Sequence, residues 1–408
     1  MSSQPCPSLR PLISLRLGSK FLIVATFPAT AREILKTNDR DLSSRFNLRL
    51  SNVIPGIKNS IIVLLNECNQ RWRFLRSAAH TELFSSRALE SHLKLRAEKV
   101  QEMLDFLGSN GGEVVAIVDI IYATIVNILT YTMMSKDIVN LKDNVGELRK
   151  FSRSLIEFAV PSMADIFPLL GALDFRAKQK AKDYKERTRA LWADILTHRL
   201  VNGSGPDRNT LFQTRTGHTI SDPDPTHLPD GSLLYVSDPD PMRPGSESGP
   251  GPLIALLTQN QNASSKLRDE ITITIGGTDL LSKSQQAKLP YLQSCMKETL
   301  RLHPPSPFLV LHCAVQSCKV MNYDNLDLKG THYELLPFGG GRRICVGVSL
   351  ALKQIQLILA SLIYAFDWFL PSGMDPKTLD TSEEFSIPMG TEKPLHLILK
   401  RKKKQPKD

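Results

Sequence analysis

The segment from Phe338 to Gly347 constrains this chain more than any other feature of its sequence. It reads Phe-Gly-Gly-Gly-Arg-Arg-Ile-Cys-Val-Gly, so Cys345 stands in a glycine-rich loop after two arginines. Beyond it, apolar residues recur every three or four positions, which predicts a helix with one buried face made of Val348, Leu352, Ile355, Leu359, Leu362 and Phe366. The positive end of that helix, together with Arg342 and Arg343, would hold Cys345 as a thiolate.

A thiolate presented in this way suits the axial position of a haem iron, because its electron donation favours O–O cleavage. The simpler alternative is a buried cysteine in a turn before a core helix. The complete spacing Phe-x-x-Gly-x-Arg-x-Cys-x-Gly, however, resembles the cytochrome P450 family at every position. The resemblance implies a haem b cofactor, with Cys345 as the catalytic axial ligand of the iron. It also implies that the loop residues Phe338, Gly341, Arg343 and Gly347 bind the cofactor.

Two further segments add to the resemblance. Trp72 and Arg76 are four residues apart, which places an indole N–H and a guanidinium on one helix face. In P450s this pair holds a haem propionate; on its own it would be an aromatic anchor beside a surface arginine. His312, in the predicted strand 308–314, matches a basic residue that also reaches a propionate. The alternative is that His312 is a packed or solvated histidine of the strand with no ligand role.

The segment 289–305 predicts a helix stopped by two prolines. Glu298 and Arg301 lie three apart on one face, where they can pair. Taken alone, such a pair is a solvated surface pair worth little. The ending Lys-Glu-Thr-Leu-Arg-Leu-His-Pro-Pro resembles the P450 Glu-x-x-Arg helix, whose pair is a structural clasp behind the cysteine loop and not a catalytic element.

The interior departs from the family pattern in three ways. Residues 203–251 are dense in Gly, Pro, Ser and Asp, which predicts a disordered, low-complexity insert. The Ala/Gly-Gly-x-Asp/Glu-Thr-Thr motif of the central oxygen-activating helix does not occur in the sequence. Between Tyr323 and Asp324 the chain omits the family's Pro-Glu-Arg-Phe segment, whose arginine joins the Glu298–Arg301 pair. Skipped or mis-joined exons would leave clean family sequence on both sides of each junction, as here.

The expected fold class is therefore mainly α with small β-sheets (α+β), an incomplete P450 domain. We assign its N-terminal part to 1–202, the insert to 203–251, the haem-thiolate part to 252–400 and a basic tail to 401–408. With 408 residues, 41% of them hydrophobic and 23% charged, the chain can bury a large core. A zinc site made from cysteines and histidines of the C-terminal part lacks any Cys-x-x-Cys spacing; its candidates would be Cys295, Cys313, Cys318, His303 and His312.

The resemblance implies a monooxygenase that inserts one oxygen atom from O₂ into a small apolar plant metabolite, with electrons from NADPH through NADPH–cytochrome P450 reductase. Segments around residues 84–91 and 326–338 resemble plant enzymes of the geraniol-hydroxylase and N-methylcoclaurine 3′-hydroxylase group, and favour the alkaloid side. Substrate specificity would depend on a substrate-contacting loop around residues 52–63. Oxidative coupling or rearrangement, and a catalytically impaired remnant, are the alternatives.

The net charge of +10 suits an acidic electron-donor protein or a membrane surface. Nucleic acid is not an expected partner, since the basic residues are scattered and form no nucleic-acid motif. The resemblance implies the cytosolic face of the endoplasmic reticulum membrane. The family's N-terminal membrane anchor is not expected in this sequence, which would make the chain peripheral or cytosolic.

Overall fold

The computed structural model of the chain describes residues 12–18, 20–46, 67–142, 145–146, 161–169, 179, 182–183, 186, 233–236, 250–275, 283–306, 309–314, 333, 335–379, 383–384, 390–391 and 394–402. Within these residues the fold is dominated by helices and carries three small sheets. The predicted fold class, mainly α with small β-sheets, is confirmed.

The described chain begins with a hairpin. Strands β1 (Leu12–Leu17) and β2 (Lys20–Ala25) pair antiparallel, and Gly18 turns between them at a φ of 56°. Pro28 then opens the short helix α1 (Pro28–Arg32), because a proline needs no N–H at a helix start. The same segment continues as one π-helical turn (Glu33–Thr37).

Helices supply most of the core. In chain order they are α2 (Gln70–Ala79), followed by a π-helical turn (His80–Phe84), α3 (Ser86–Ser91), α4 (Leu93–Ser109), α5 (Ile117–Met134), α6 (Met163–Ile166), α7 (Pro250–Gln259), α8 (Gln261–Ile275), α9 (Lys283–Gln286), α10 (Pro290–Leu302) and α11 (Val348–Ala365). Two 3₁₀ turns, Gly341–Arg343 and Pro376–Thr378, lie in the C-terminal part of the chain. One hydrophobic core joins α4, α5, α7, α8, α10 and α11.

The remaining strands are short. They are β3 (Ser44–Arg45), β4 (Val114–Ala116), β5 (Leu233–Val236), β6 (His312–Cys313), β7 (Phe366–Phe369), β8 (Glu383–Glu384), β9 (Gly390–Thr391) and β10 (His396–Arg401). One sheet has the order β1-β2-β5-β6-β3, a second has the order β4-β10-β7, and β8 pairs with β9. The apolar stretch 114–134 begins as the strand β4, whose three residues pair with β10, and continues as the helix α5.

The face predicted for α11 is buried only in its second half. Leu359, Leu362 and Phe366 have no exposed surface, whereas Leu352 is 37% exposed. The prediction for Leu352 is wrong because the first turns of α11 run beside the cysteine loop at the protein surface. By length and composition α5 and α11 could each cross a membrane, but both contribute buried residues to the core, as long core helices do.

The low-complexity segment 203–251 is not structureless throughout. Its residues Leu233–Val236 form β5, which pairs parallel with β2 and antiparallel with β6. The local sequence Leu-Leu-Tyr-Val explains this, because its apolar and aromatic residues favour a strand within an otherwise polar stretch. At its other end, α7 begins at Pro250, inside the segment predicted to lack structure.

Candidate functional site

The loop before α11 presents Cys345 at the surface. The Cys345 N–H donates to the Phe338 carbonyl at 2.9 Å, and the Ile344 N–H donates to Gly341 at 3.2 Å. The Cys345 thiol is exposed, and Gly347, the N-cap of α11, lies close beneath its sulfur. The structure therefore places Cys345 between a glycine-rich turn and a helix N-terminus, as the sequence pattern predicts.

Gly341 has a packing role within this loop. Its φ is +60°, and a Cβ at this position would lie 1.6 Å from the backbone oxygen of Leu35 in the π-helical turn Glu33–Thr37. Neighbouring Gly339 has a φ of +73°, but a Cβ there would meet nothing within 4 Å. The close approach of two backbones thus demands glycine at position 341, whatever else this residue contacts.

We expect Gly341→Ala to destabilise the chain more than Gly339→Ala. A non-glycine residue in the left-handed region costs about 1–2 kcal/mol, and Gly339→Ala should show only this cost. Gly341→Ala adds the displacement of the Leu35 backbone. Chemical denaturation of both variants measures the difference, and equal free energies of unfolding would contradict the close approach.

Trp72 and Arg76 lie on the same face of α2 and reach the cysteine loop together. The Asn69 side chain accepts from the Trp72 backbone N–H at 3.0 Å, which fixes the start of the helix. Arg76 Nη2 donates to the Ile344 carbonyl at 2.6 Å, and its guanidinium carbon lies 5.4 Å from the Trp72 ring centroid. Arg76 is thereby tied to the residue that precedes Cys345.

Arg343 approaches the same indole. Its guanidinium carbon lies 5.1 Å from the Trp72 ring centroid, and its Nε donates to the Ser43 carbonyl at 2.7 Å. A guanidinium over an indole face is attracted by the ring electrons. Trp72 therefore contacts two cations that come from distant parts of the chain.

Arg45 adds a third guanidinium, which the sequence analysis does not identify. It is buried, and its Nη1 donates to the carbonyls of Val310 at 2.6 Å and Leu311 at 3.2 Å. Arg45 and Arg343 are close enough for each charge to affect the other. We refer to Arg45, Arg76 and Arg343 as the cation cluster.

Burial lowers the pKa of all three arginines in the cation cluster. The effect is largest for Arg45, whose pKa falls to about 9 because the side chain is desolvated and lies near Arg343. Cys345 opposes the decrease at Arg76, and Cys68 opposes it at all three. Like charges gathered in a partly desolvated place favour an anionic ligand.

The cation cluster fits the carboxylates of a haem. Trp72 is 6% exposed, and its indole Nε1 is buried with no hydrogen-bond acceptor among the described residues. A buried donor normally has a partner, so this N–H indicates an acceptor supplied by a ligand. Two propionates would satisfy this donor and offset the clustered positive charge. The exposed Cys345 beside the cluster supplies the sulfur ligand that a thiolate-bound haem iron requires.

Arg342 pairs with a carboxylate of the N-terminal part of the chain. Its Nε lies 2.9 Å from Asp39 Oδ2, and its predicted influence on the Cys345 thiolate stays a prediction. Successive residues in a 3₁₀ turn point about 120° apart, so the two arginines extend in different directions, Arg342 to Asp39 and Arg343 to Ser43. Arg76 is distant from the loop in sequence but adjacent to it in space. The charge of Cys345 raises the pKa of Arg76, against the larger effect of burial.

His312 lies on β6, as predicted, but its protonation state differs from that of a basic propionate ligand. Burial, and then Arg45, lower its pKa to about 3, so the imidazole is neutral. Its Nδ1 lies 2.9 Å from the Leu42 carbonyl, which requires Nδ1–H to be the donor. Nε2 then carries no proton, so this tautomer cannot donate to a carboxylate. A cationic contact between His312 and a propionate stays a prediction.

The His312 pKa predicts how stability depends on pH. Because the folded-state pKa is about 3 and the usual value is 6.5, the unfolded chain binds the proton more tightly. The contribution of neutral His312 is complete above about pH 6.5 and is lost as the pH falls towards about 3. The His312→Asn side chain can still donate to Leu42 but does not titrate. We expect this variant to reduce the acid-induced decrease in the free energy of unfolding by on the order of a few kcal/mol. Denaturation of the haem-free chain across that range measures it, and an unchanged slope would contradict the assignment.

A tryptophan pair provides a matched test of the Trp72 indole. Trp72→Phe removes a buried donor that lacks an acceptor. The loss of this N–H should therefore not lower the free energy of unfolding of the haem-free chain. Haem affinity should fall by about 10- to 150-fold, since a hydrogen bond to a charged group is worth about 1.5–3 kcal/mol. Trp368→Phe removes a similarly unpartnered N–H on β7 and should leave haem affinity unchanged. Equal haem titrations for both variants would contradict the role of Trp72.

Glu298 and Arg301 on α10 form the predicted pair. Arg301 Nε and Nη2 donate to the two carboxylate oxygens of Glu298 at 2.8 and 2.7 Å. Both side chains are largely exposed, at 56% for Glu298 and 43% for Arg301. Solvent screens an ion pair of this kind, so the pair itself contributes little stability. Its role as a clasp for the Cys345 loop stays a prediction.

Glu298 also lines a cavity of about 750 Å³ in the described part of the chain. Its wall combines leucines of α7 and α10 with polar residues from the α7–α8 junction and the Pro376–Thr378 turn. The substrate loop predicted around residues 52–63 lies outside the described residues.

Arg45 and Cys68 belong to the site but could not be predicted from the sequence, because their positions depend on contacts between distant parts of the chain. Arg45 reaches the site only because β3 pairs with β6, where it lies opposite His312. Cys68 precedes α2 and is half-buried near all three arginines. No local pattern around Ser44–Arg45 or Cys68 signals these contacts.

Comparison with known proteins agrees with this geometry. The sequence model of the family described as Cytochrome P450 matches residues 7–204, 252–325 and 324–397. The breaks between the matched stretches fall at the 203–251 segment and at the 323–324 junction. A probable (S)-N-methylcoclaurine 3'-hydroxylase isozyme 2 of Coptis japonica is 33% identical, covering 95% of this chain and 86% of the relative. The isozyme 1 enzyme of Papaver somniferum is 32% identical (95% and 88%), and corytuberine synthase of Coptis japonica 30% (96% and 86%).

Proposed function

Because this chain belongs to the cytochrome P450 family, we propose that it inserts one oxygen atom from O₂ into a small apolar or aromatic plant metabolite of the benzylisoquinoline alkaloid or terpenoid type. Family membership makes it an oxidoreductase that uses haem b. The substrate class rests on relatives whose names specify N-methylcoclaurine hydroxylation. The single observation that carries the proposal is the position of Cys345 beside the cation cluster and the unpartnered Trp72 indole.

Each residue of the site has a distinct task in this proposal. When bound, haem supplies the activation of O₂, which protein side chains alone do not provide. Cys345 would coordinate the iron through its sulfur. The hydrogen bond from its N–H to the Phe338 carbonyl keeps the loop in place. Trp72 Nε1, Arg76 and Arg343 would hold the propionates. The contact between Arg76 and Ile344 couples the propionate side to the ligand loop.

Electrons would come from NADPH through a cytochrome P450 reductase, as is standard for the family. The net charge of +10 supports an acidic donor protein, because opposite charge accelerates encounter. The same charge supports contact with an anionic membrane surface, and we propose the cytosolic face of the endoplasmic reticulum as the location.

A second candidate function is oxidative coupling or rearrangement, which two relatives named as synthases support. Such reactions insert no oxygen into the substrate. Corytuberine synthase and berbamunine synthase are among the relatives, at 30% and 28% identity.

Two measurements test these functions. The reduced chain, loaded with haem and exposed to carbon monoxide, should give the red-shifted band of thiolate ligation. Product mass then separates the reactions, since insertion adds one oxygen atom to the substrate and coupling does not. The absence of any thiolate band would identify a catalytically impaired remnant and overturn both proposals.

A further inference from the structure

The strand β5 comes from a segment that the family sequence model does not match. The matched stretches end at 204 and resume at 252, whereas β5 spans Leu233–Val236. It occupies the centre of the five-stranded sheet, parallel to β2 on one side and antiparallel to β6 on the other. The unmatched segment therefore supplies an internal strand of this sheet.

The register connects this strand with the cation cluster. Leu234 lies opposite Ile23 of β2 and opposite His312 of β6. His312 in turn lies opposite Arg45 of β3. One row of backbone pairing thus runs from the N-terminal hairpin through β5 to the buried arginine.

The backbone beyond β5 carries the contacts that place the cluster. Arg45 donates to Val310 and Leu311, next to β6, and Arg343 donates to Ser43, next to β3. Both β3 and β6 are only two residues long, and isolated pairs of short strands are marginally stable in water. Pairing with β5 joins them to the longer hairpin.

We infer that β5 is a positioning element of the cofactor site, through which the 203–251 segment fixes the cation cluster where the haem propionates would bind. The inference rests on the proposed role of the cation cluster. Without β5, the described sheet loses the link between β2 and β6, so the cluster would be held less firmly and haem would dissociate faster. The element acts through Arg45 and Arg343 and contacts no reacting atom.

Leu234→Pro tests this role. A central strand donates N–H groups to its neighbours, and proline removes one of them. We expect haem to transfer to apomyoglobin on the order of tenfold faster, the size usual for the loss of a supporting contact. The carbon-monoxide band of the bound fraction should keep its position, because Cys345 lies outside the sheet. Leu234→Ile, which retains the N–H, should behave as wild type.

Hydrogen exchange separates positioning from general unfolding. In the haem-free Leu234→Pro chain, protection should fall in peptides 42–46 and 309–314 and remain in α4 and α11. Loss of protection throughout, or a wild-type haem transfer rate, would overturn the inference. If the wild-type chain shows no thiolate band, the proposed function fails, while the exchange result still decides whether β5 holds β3 and β6.

Discussion

Cys345→Ala should abolish the thiolate-type carbon-monoxide band of the reduced, haem-loaded chain. The reason is positional, because Cys345 is exposed beside Arg76 and just ahead of the N-terminus of α11. Nearby positive charge and a helix N-terminus favour the thiolate form of a cysteine over the thiol. Cys345→His should also lose this band, since an imidazole cannot reproduce the electron donation of sulfur.

Two other cysteines provide controls for that result. Cys68→Ala removes the half-buried cysteine near the cation cluster, and Cys313→Ala removes the one on β6, where burial raises the thiol pKa. Both variants should retain the band. A band that survives in Cys345→Ala would show that another sulfur binds the iron and would overturn the ligand assignment.

The parts of the site that a local pattern encodes could be predicted from the sequence. A four-residue spacing puts Trp72 and Arg76 on one face of α2 without reference to any other element. The same holds for Glu298 and Arg301, and for the position of Cys345 ahead of α11. Local geometry alone determines these relationships.

The parts that depend on sheet pairing or on burial could not be predicted in this way. The roles of Arg342 and Arg343 separate because one meets Asp39 and the other meets Ser43, far away in sequence. The protonation of His312 follows from burial beside Arg45, which requires the pairing of β3 with β6. Leu352 belongs to an apolar repeat but lies on a helix whose first turns remain at the surface.

The second large effect concerns how reducing equivalents are used. With reductase, NADPH and O₂, the haem-loaded chain should consume NADPH mostly to form hydrogen peroxide, according to NADPH + H⁺ + O₂ → NADP⁺ + H₂O₂. Hydroxylation needs protons delivered at the cofactor, and the family's acid–alcohol motif is missing from this sequence. Positioned proton transfer is worth about 10²- to 10⁴-fold in rate, so product should be a minor outcome.

The described helix α7 offers no replacement for the missing pair. It contains no carboxylic acid, and its one hydroxyl, that of Thr258, donates to the Ile254 carbonyl of the same helix at 2.8 Å. Thr258→Val should therefore leave the ratio of product to NADPH unchanged. A lower ratio in that variant would assign proton delivery to Thr258.

Hydrogen peroxide supplied directly should restore part of the hydroxylation, by RH + H₂O₂ → ROH + H₂O, because it already carries the protons that the chain cannot deliver. The measurement is product formed per NADPH, compared with product formed per peroxide, on the same preparation. Cys345→Ala serves as the control, since it should support neither route. One product per NADPH from the wild-type chain would contradict this prediction, and would mean that another part of the protein delivers the protons otherwise supplied by the acid–alcohol pair.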